Sequence, residues 1–477
     1  MTVFKQKLPA IRLAAAFSAA LLLGGCAVGP DYLRPAFLFP EQEKPAAAAE
    51  AHTEVAINTQ WWTLFGDSAL NNLEQLAVEA NQDLQAAIAR LEGAEAAARE
   101  AGADYLPAVS LGVNSSRAQS SGETFNGKKI GGQATYNNTR AAASLSYEID
   151  LWGRVRRSNE AARAEVLASR FGRDTVRLSL AGQVASEYLT LRNLDAQLEV
   201  TQETLASRQK TLKIVNARLE AGSTSPLEQS QAESALAAAQ AQWNQLHRQR
   251  ALSESQLGLL TGQPGLKIAA ASLEALPLPP SPPIGLHSSL LEARPDIRQA
   301  EEKLIAANAR IGVAKAAYFP SISLTGLYGG ESMALSSLFK SSAGIWSAAL
   351  GLSMPIFDAG RTGARVDQAS ALQKEALANY RKTVQTAFKE VNDALVGVRE
   401  YDEEESANRA QVAAARRALE LSQARYEAGY SGFMDVLDAQ RTTNSAQLQY
   451  LGSRRNRLAV AVDLFKALGG GWQAEGN

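Results

Sequence analysis

Asp435 and Asp438 stand three residues apart in "AGYSGFMDVLDAQ" (428–440), just after Gly429 and Gly432 interrupt a long run of helix-forming sequence. Residues three apart share one helix face, so two carboxylates are presented together. Such a pair serves proton transfer, cation binding or charge selection, according to its partners. Partners for bond-making chemistry are scarce. His52, His247 and His287 are scattered, and the sequence holds no HExxH, no Cys/His cluster and no GxxxxGK[ST] loop. An enzyme reading has the least support, and no metal or cofactor is expected. With 48 basic against 49 acidic residues, no bulk field points to nucleic acid.

The break occurs twice. "AGSTSPLEQSQAE" (221–233) repeats it, because Gly429 minus Gly222 is 207 and the same offset carries Asp435 onto Glu228. "LSYEIDLWGR" (145–154) likewise returns as "LSMPIFDAGR" (352–361), and "ADYLPAVSL" (103–111) as "AAYFPSISL" (316–324). The last pair is offset by 213, so the first copy has about six more residues in the intervening loop. An internal duplication organises the chain. Repeat one is expected over 69–262: a helix, a hairpin at 107–150, a long helix at 154–221 and a helix at 226–261. A Pro-rich linker (263–294) follows, read as extended around "LPLPPSPPIGL". Repeat two covers 295–468, with a hairpin at 320–357, a long helix at 361–428 and a helix at 433–468; a tail (469–477) ends the chain.

Two segments in each copy alternate with period two. Val109, Leu111 and Val113 alternate with Ser110, Gly112 and Asn114; Trp346, Ala348, Leu350 and Leu352 frame the last strand. Each is about ten residues, the length a tilted strand needs to cross a bilayer, although a soluble sheet with one wet face alternates identically. Tyr105, Trp152, Tyr318, Phe319 and Phe357 gather at the helix-side strand ends, where an interfacial girdle would lie. The long helices are marked by Val184, Leu191, Leu198, Leu205, Leu212 and Leu219, seven residues apart. Adding 207 gives Val391, Val398, Glu405, Val412, Leu419 and Tyr426, the same seam with one polar interruption. A sustained seven-residue spacing predicts coiled-coil packing. Each break then reads as the turn of an αα-hairpin. Gly222, Gly429 and Gly432 are expected at φ > 0, and Pro226 suits the first turn of a helix.

The only cysteine closes "MTVFKQKLPAIRLAAAFSAALLLGGC" (1–26), basic residues followed by a short apolar run. Residues 1–25 read as a secretory signal. Leu23-Gly24-Gly25-Cys26 resembles the bacterial lipobox, which implies diacylation of Cys26, and residues 26–68 then form a lipidated N-terminal segment. Several acyl chains anchor stably where one binds marginally. Ala27 points to sorting to the outer membrane.

Four strands cannot close a membrane barrel, since the smallest class needs about eight, and open edges are not tolerated in hydrocarbon. If the strands span, several chains share one barrel. The lipobox with "CAVGPDYLRP", then "WWTLFGDSALNNLEQLA" (61–77), the duplicated plan and "RYEAGYSGFMDVLDAQRT" (425–442) together resemble the outer membrane factor family. The similarity is greatest to its OprM/NodT-type lipoprotein branch, relatives of TolC. The resemblance implies an α+β membrane protein: a homotrimer sharing a twelve-stranded outer-membrane β-barrel above a long periplasmic α-helical coiled-coil barrel. It implies the passive exit duct of a tripartite efflux pump, partnered by a periplasmic adaptor and an inner-membrane transporter of the resistance-nodulation-division type. Drugs and small toxic compounds would be the cargo. In the family, acids matching Asp435 and Asp438 line a closed periplasmic aperture, while Glu228 and Tyr426 match a link that holds it shut. A basic residue expected after the turn is replaced by Ser431, leaving Arg425 or Arg218 to supply the charge. Other readings stand beside these. Asp435 also complements a helix dipole, worth about 0.3–1 kcal/mol, and Ser431 could cap the helix locally. A type I secretion channel shares the fold, and a lipid-tethered structural coiled coil would share the seam.

Overall fold

Residues 27–35, 60–124, 134–280 and 294–470 are described by the structure, a computed structural model of the full chain. Cys26, the signal segment, residues 36–59 and 125–133, the linker residues 281–293 and the tail from 471 lie outside the described residues. The chain divides into two units. One is built around Leu91–Ser169 and Ala300–Tyr380; the other takes in Arg170–Gln299, Arg381–Asn477 and the residues before Leu91 that start at Gln60.

In the first unit, β1 (Ala108–Gln119), β2 (Thr135–Ile149), β3 (Ser321–Ser332) and β4 (Gly344–Ser353) form one antiparallel sheet in chain order. The register sorts side chains by polarity. Val109 pairs with Leu145 and Leu111 with Ala143; across the sheet, Tyr328 meets Trp346 and Leu324 meets Leu350. These lie on one face. Ser110 and Ser144, hydrogen-bonded at 2.7 Å, Ser323 and Ser347 belong to the other. A soluble sheet would cover its apolar face. Here Val109, Leu111 and Trp346 remain 68%, 77% and 78% exposed, so the apolar face has no cover among the described residues, as lipid-facing strands require. β1 and β4 each pair on one side alone, leaving two bare edges. Among the described residues no helix is long and apolar enough to cross a membrane.

The strands pass into helices through capped turns. Asp150 accepts from the amides of Val155 (3.1 Å) and Arg156 (2.8 Å), opening α3 (Arg154–Glu220). Asp358 accepts from Thr362 N at 2.8 Å at the start of α6 (Arg361–Glu427). These are the two 67-residue helices. Between the hairpins, α5 (Pro295–Ala316) leads into β3.

The second unit is helical. α1 (Ser68–Ala80) and α2 (Gln82–Ala103) are separate helices, where the repeat calls for a single helix ahead of the hairpin. Asn81 makes the break, with an extended backbone, because its side chain caps Leu84 N (3.0 Å) and donates to Leu260 O (3.0 Å) at the end of α4 (Pro226–Leu260). The core joins Trp61, stacked on Phe465 at 5.2 Å, to Leu70, Val184, Tyr188, Leu257 and Leu458; Phe465 belongs to α7 (Phe433–Ala467). The linker stretch, as far as it is described, forms no helix or strand and is anchored at a few points. Leu273 and Leu276 are buried, and Arg250, Arg192 and Arg454 donate to the carbonyls of Ile268, Ala269 and Leu276. Glu405, the polar interruption in the seam, is 1% exposed and caged by Arg457 (3.0 Å), Arg409 (3.1 Å) and Arg454 (3.5 Å). The seam in α3 follows the expected spacing at Val184 and Leu191, which are fully buried, and departs from it further along. Leu198, Leu205, Leu212 and Leu219 are half-buried, whereas Thr201, Arg208 and Val215, also seven apart, are buried. Near its end the helix packs against both α4 and α7, so its covered stripe is wider than a single seam.

Glu74 faces the core with Leu70, Leu73 and Ala77, one stripe of α1. It is 1% exposed, and neither carboxyl oxygen has a hydrogen-bond partner among the described residues. Burial alone pushes this carboxyl from its ordinary 4.5 up to about 9, so it is neutral at physiological pH. Because the unfolded chain ionises near the ordinary value, the fold loses stability as pH rises between about 4.5 and about 9. Glu74→Leu should therefore raise the melting temperature at pH 8, by on the order of a few kcal/mol of stability, and flatten its decline between those pH values. Thermal unfolding in detergent measures both, and a lower melting temperature at pH 8 would contradict the assignment.

Candidate functional site

The two breaks close by one backbone mechanism. At the end of α3, Gly222 N bonds to Leu219 O (3.0 Å) and Ser223 N reaches Arg218 O (2.8 Å). At the end of α6, Gly429 N bonds to Tyr426 O (3.1 Å) and Tyr430 N reaches Arg425 O (2.8 Å). Gly222 has φ +68 and Gly429 φ +79, the left-handed residue that a Schellman stop demands. Gly432 differs from expectation. Its φ is −79 with extended ψ, and it sits at the N-cap of α7 with no side chain to accept. Its counterpart Ser225 caps α4, accepting from Glu228 N at 3.4 Å ahead of Pro226 at the first turn. Ser431 is not the cap considered for it: its hydroxyl is buried without a hydrogen-bond partner among the described residues.

Between the turns the two hairpins are stitched together. Tyr426 Oη donates to Glu228 Oε2 at 3.4 Å, and Thr224 Oγ1 donates to the same oxygen. The Arg218 guanidinium lies over the Tyr426 ring, 4.9 Å from its centroid. The Phe433 ring lies 5.7 Å from that of Tyr426, and Val215, Ala232 and Leu437 complete a small apolar core. Burial, then the Glu228 charge, raise the Tyr426 hydroxyl above its ordinary range against the opposing pull of Arg218. Tyr426 thus remains a protonated donor to the carboxylate. Of the two candidate bases, Arg218 joins this cluster; Arg425 is exposed and contributes its carbonyl to the turn.

Asp435 and Asp438 lie elsewhere on α7. Phe433, Val436 and Leu437 turn inward, while both acids are exposed on the same helix. Asp435 is in the first turn, and Asp438 stands 3.8 Å from Arg441. The structure therefore separates two groups that adjoin in sequence: a half-buried link through Tyr426 and Glu228, and an exposed pair of carboxylates. Thr224 and Phe433 carry no signal of their own beyond adjacency to the turns. Arg208 was also hidden, two helical turns before Val215. It is 6% exposed and donates to the Gln440 amide oxygen; burial and the neighbouring Arg441 lower its pKa.

A Cβ at Gly429 or at Gly432 meets no atom within 4 Å, so backbone conformation alone distinguishes them. Gly429→Ala should destabilise the turn by about 1–2 kcal/mol, and Gly432→Ala by much less. Amide hydrogen exchange at Ser431–Asp438 in the two variants reads the difference, and equal exchange would count against the left-handed stop.

The sequence profile of the outer membrane efflux protein family matches residues 73–263 and 286–470. The toluene efflux pump outer membrane protein TtgC of Pseudomonas putida is 37% identical over 95% of this chain and 94% of its own. The cation efflux system protein CusC of Escherichia coli O157:H7 is 34% identical over 96% and 98%. A crystal structure of the Campylobacter jejuni CmeC outer membrane channel superposes with a TM-score of 0.85 at 27% identity, covering 95% of this chain and 96% of that one. The fold is thus shared along nearly the whole length, and the chain belongs to the outer membrane efflux protein family, as an outer-membrane exit duct for efflux.

Proposed function

We propose that three copies close one twelve-stranded barrel in the outer membrane and continue as a helical tunnel into the periplasm. The observation that carries this is the sheet: four strands, two unpaired edges and an apolar face left open. Edges are not tolerated in hydrocarbon, and four strands from each of three chains supply a closed barrel. The duct is passive. It serves a tripartite pump in which a resistance-nodulation-division transporter in the inner membrane supplies the energy and a periplasmic adaptor bridges the two. Its cargo is drugs and small toxic compounds, with selection residing in the transporter; relatives named for toluene and for cations support a duct that is broad.

The hairpin ends form the gate. Asp435 and Asp438, repeated three times, make two carboxylate rings that favour cations, while the Tyr426–Glu228 link beneath the Arg218 guanidinium holds the hairpins together at rest. Docking of the adaptor or transporter separates them. In planar bilayers, Asp435→Ala/Asp438→Ala should lose cation preference and conduct several-fold more in the resting state; unchanged conductance and selectivity would sink the gate reading. A heat-resistant trimer on detergent gels is expected of the wild type.

Cys26 is the lipid attachment site, and outer-membrane lipid is a further partner. Cys26→Ser should lose metabolic palmitate label and keep the trimer, because the barrel itself holds the membrane. A wild type that takes up no label would refute the assignment.

A further inference from the structure

The nine residues after Cys26 follow a fixed course across the first unit. Val28 N donates to Trp152 O at 2.9 Å, and Asn308 Nδ2 to Pro30 O at 2.8 Å. Arg157, itself buried, bonds Asp31 at 2.5 Å; Tyr32 and Arg34 both reach Glu301, at 3.2 and 3.0 Å. Glycines admit the chain. Gly29, at φ +115, lies so close to Gly312 that a Cβ on Gly29 would stand 2.5 Å from its Cα. A Cβ on Gly153 would stand 2.9 Å from that of Ala27. Ala27 is therefore held against the residue following Trp152.

Trp152 has a second role. Its indole stacks on Phe319 at 4.7 Å and donates to Pro320 O at 2.8 Å. With Ile149, Leu151, Pro320 and Pro355 the pair walls a cavity of about 230 Å³ at the helix-side rim of the sheet. One edge is polar, where Arg154 grips Glu148 through two bonds of 2.8 Å. The wall thus sets Trp152, Phe319 and the prolines beside polar Glu148, Asp150, Arg154, Ser321 and Ser353, a mixed lining that suits the glycerol-ester level of a lipid rather than its hydrocarbon tail. The space is too small for a whole long acyl chain.

We propose that this cavity seats the lipid carried by Cys26: the glyceryl esters near Arg154 and the first methylenes between Trp152, Phe319 and Pro355. The proposal rests on acylation of Cys26. Cys26 is joined directly to Ala27, which lies against Gly153, and the adjoining Trp152 both holds the strap through its carbonyl and forms the cavity wall. The lipid is in this way a packed part of the rim, not a loose tether.

The test uses full-length protein in outer-membrane vesicles whose own acyl chains carry a diazirine close to the ester, with bulk phospholipid exchanged for unlabelled lipid. After irradiation, mass spectrometry should find cross-links in the peptides holding Ile149–Arg154 and Phe319–Pro320. Inserting Ser-Gly-Ser between Ala27 and Val28 leaves cavity and sorting residue intact and moves the lipid away; cross-linking there should fall by about an order of magnitude. Gly312→Val, which unseats the strap, should act likewise. Cross-links confined to the strand faces or to phospholipid, or a yield indifferent to the insertion, would overturn the proposal. A converse sample, with diazirine-phosphatidylethanolamine in the bulk and unlabelled protein, separates the sources: equal labelling of the same peptides means a free-lipid site and also overturns it. Wild-type protein bearing no acyl label at all would instead remove the premise at Cys26, an outcome distinct from acylated protein that cross-links elsewhere.

Discussion

Backbone hydrogen bonding in a medium without water constrains everything else in this chain. Each strand amide at bilayer depth needs a partner from protein, and β1 and β4 have partners on one side only. The face that a soluble sheet would hide is left uncovered, with Trp346 and Leu111 among its most exposed residues. A chain built this way is complete only in company, so its helices must also be shaped for neighbours. That requirement accounts for the two 67-residue helices.

Within the helical unit the seams are not uniformly greasy. Glu405 stands at a seam position and is caged by three guanidiniums from α6 and α7, so removing one partner would leave buried charge uncompensated. Arg208 is buried with a neutral amide as its partner. Such groups stabilise less than leucine would, and they restrict which register the helices can adopt. Toward the hairpin ends the packing turns apolar again around Val215, Phe433 and Leu437, and the Tyr426–Glu228 link sits on that small core.

Much of this was legible in the sequence, because the signals were local and doubled. Period-two strands, a seven-residue seam and an offset of 207 needed no tertiary information. What escaped depended on distant atoms. Asn81 looked like one more helical residue; it ends α1 because the Leu260 carbonyl, 179 positions away, receives its amide. The proline-rich stretch looked free, and arginines from α3, α4 and α7 hold its carbonyls. Leucines advertised one line along α3 while Thr201, Arg208 and Val215 occupy the deeper one, since no scale of hydrophobicity nominates a threonine and an arginine for burial. Gly432 was expected in the left-handed region for want of another reason for a glycine there, yet its counterpart Ser225 is an ordinary cap. The choice between Arg218 and Arg425 likewise needed the position of the Tyr426 ring.

That last contrast between Ser225 and Gly432 has a mechanical meaning. Duplication made the two hairpins alike, but α4 begins with a side-chain cap and a proline, and α7 begins with neither. Serine over glycine at the cap is worth a few tenths of a kcal/mol, and a fitting proline about 0.4–1. Together they make the first turn of α7 open roughly fivefold more often than that of α4. The two arms are unequal springs, and Asp435 and Asp438 ride on the more compliant one.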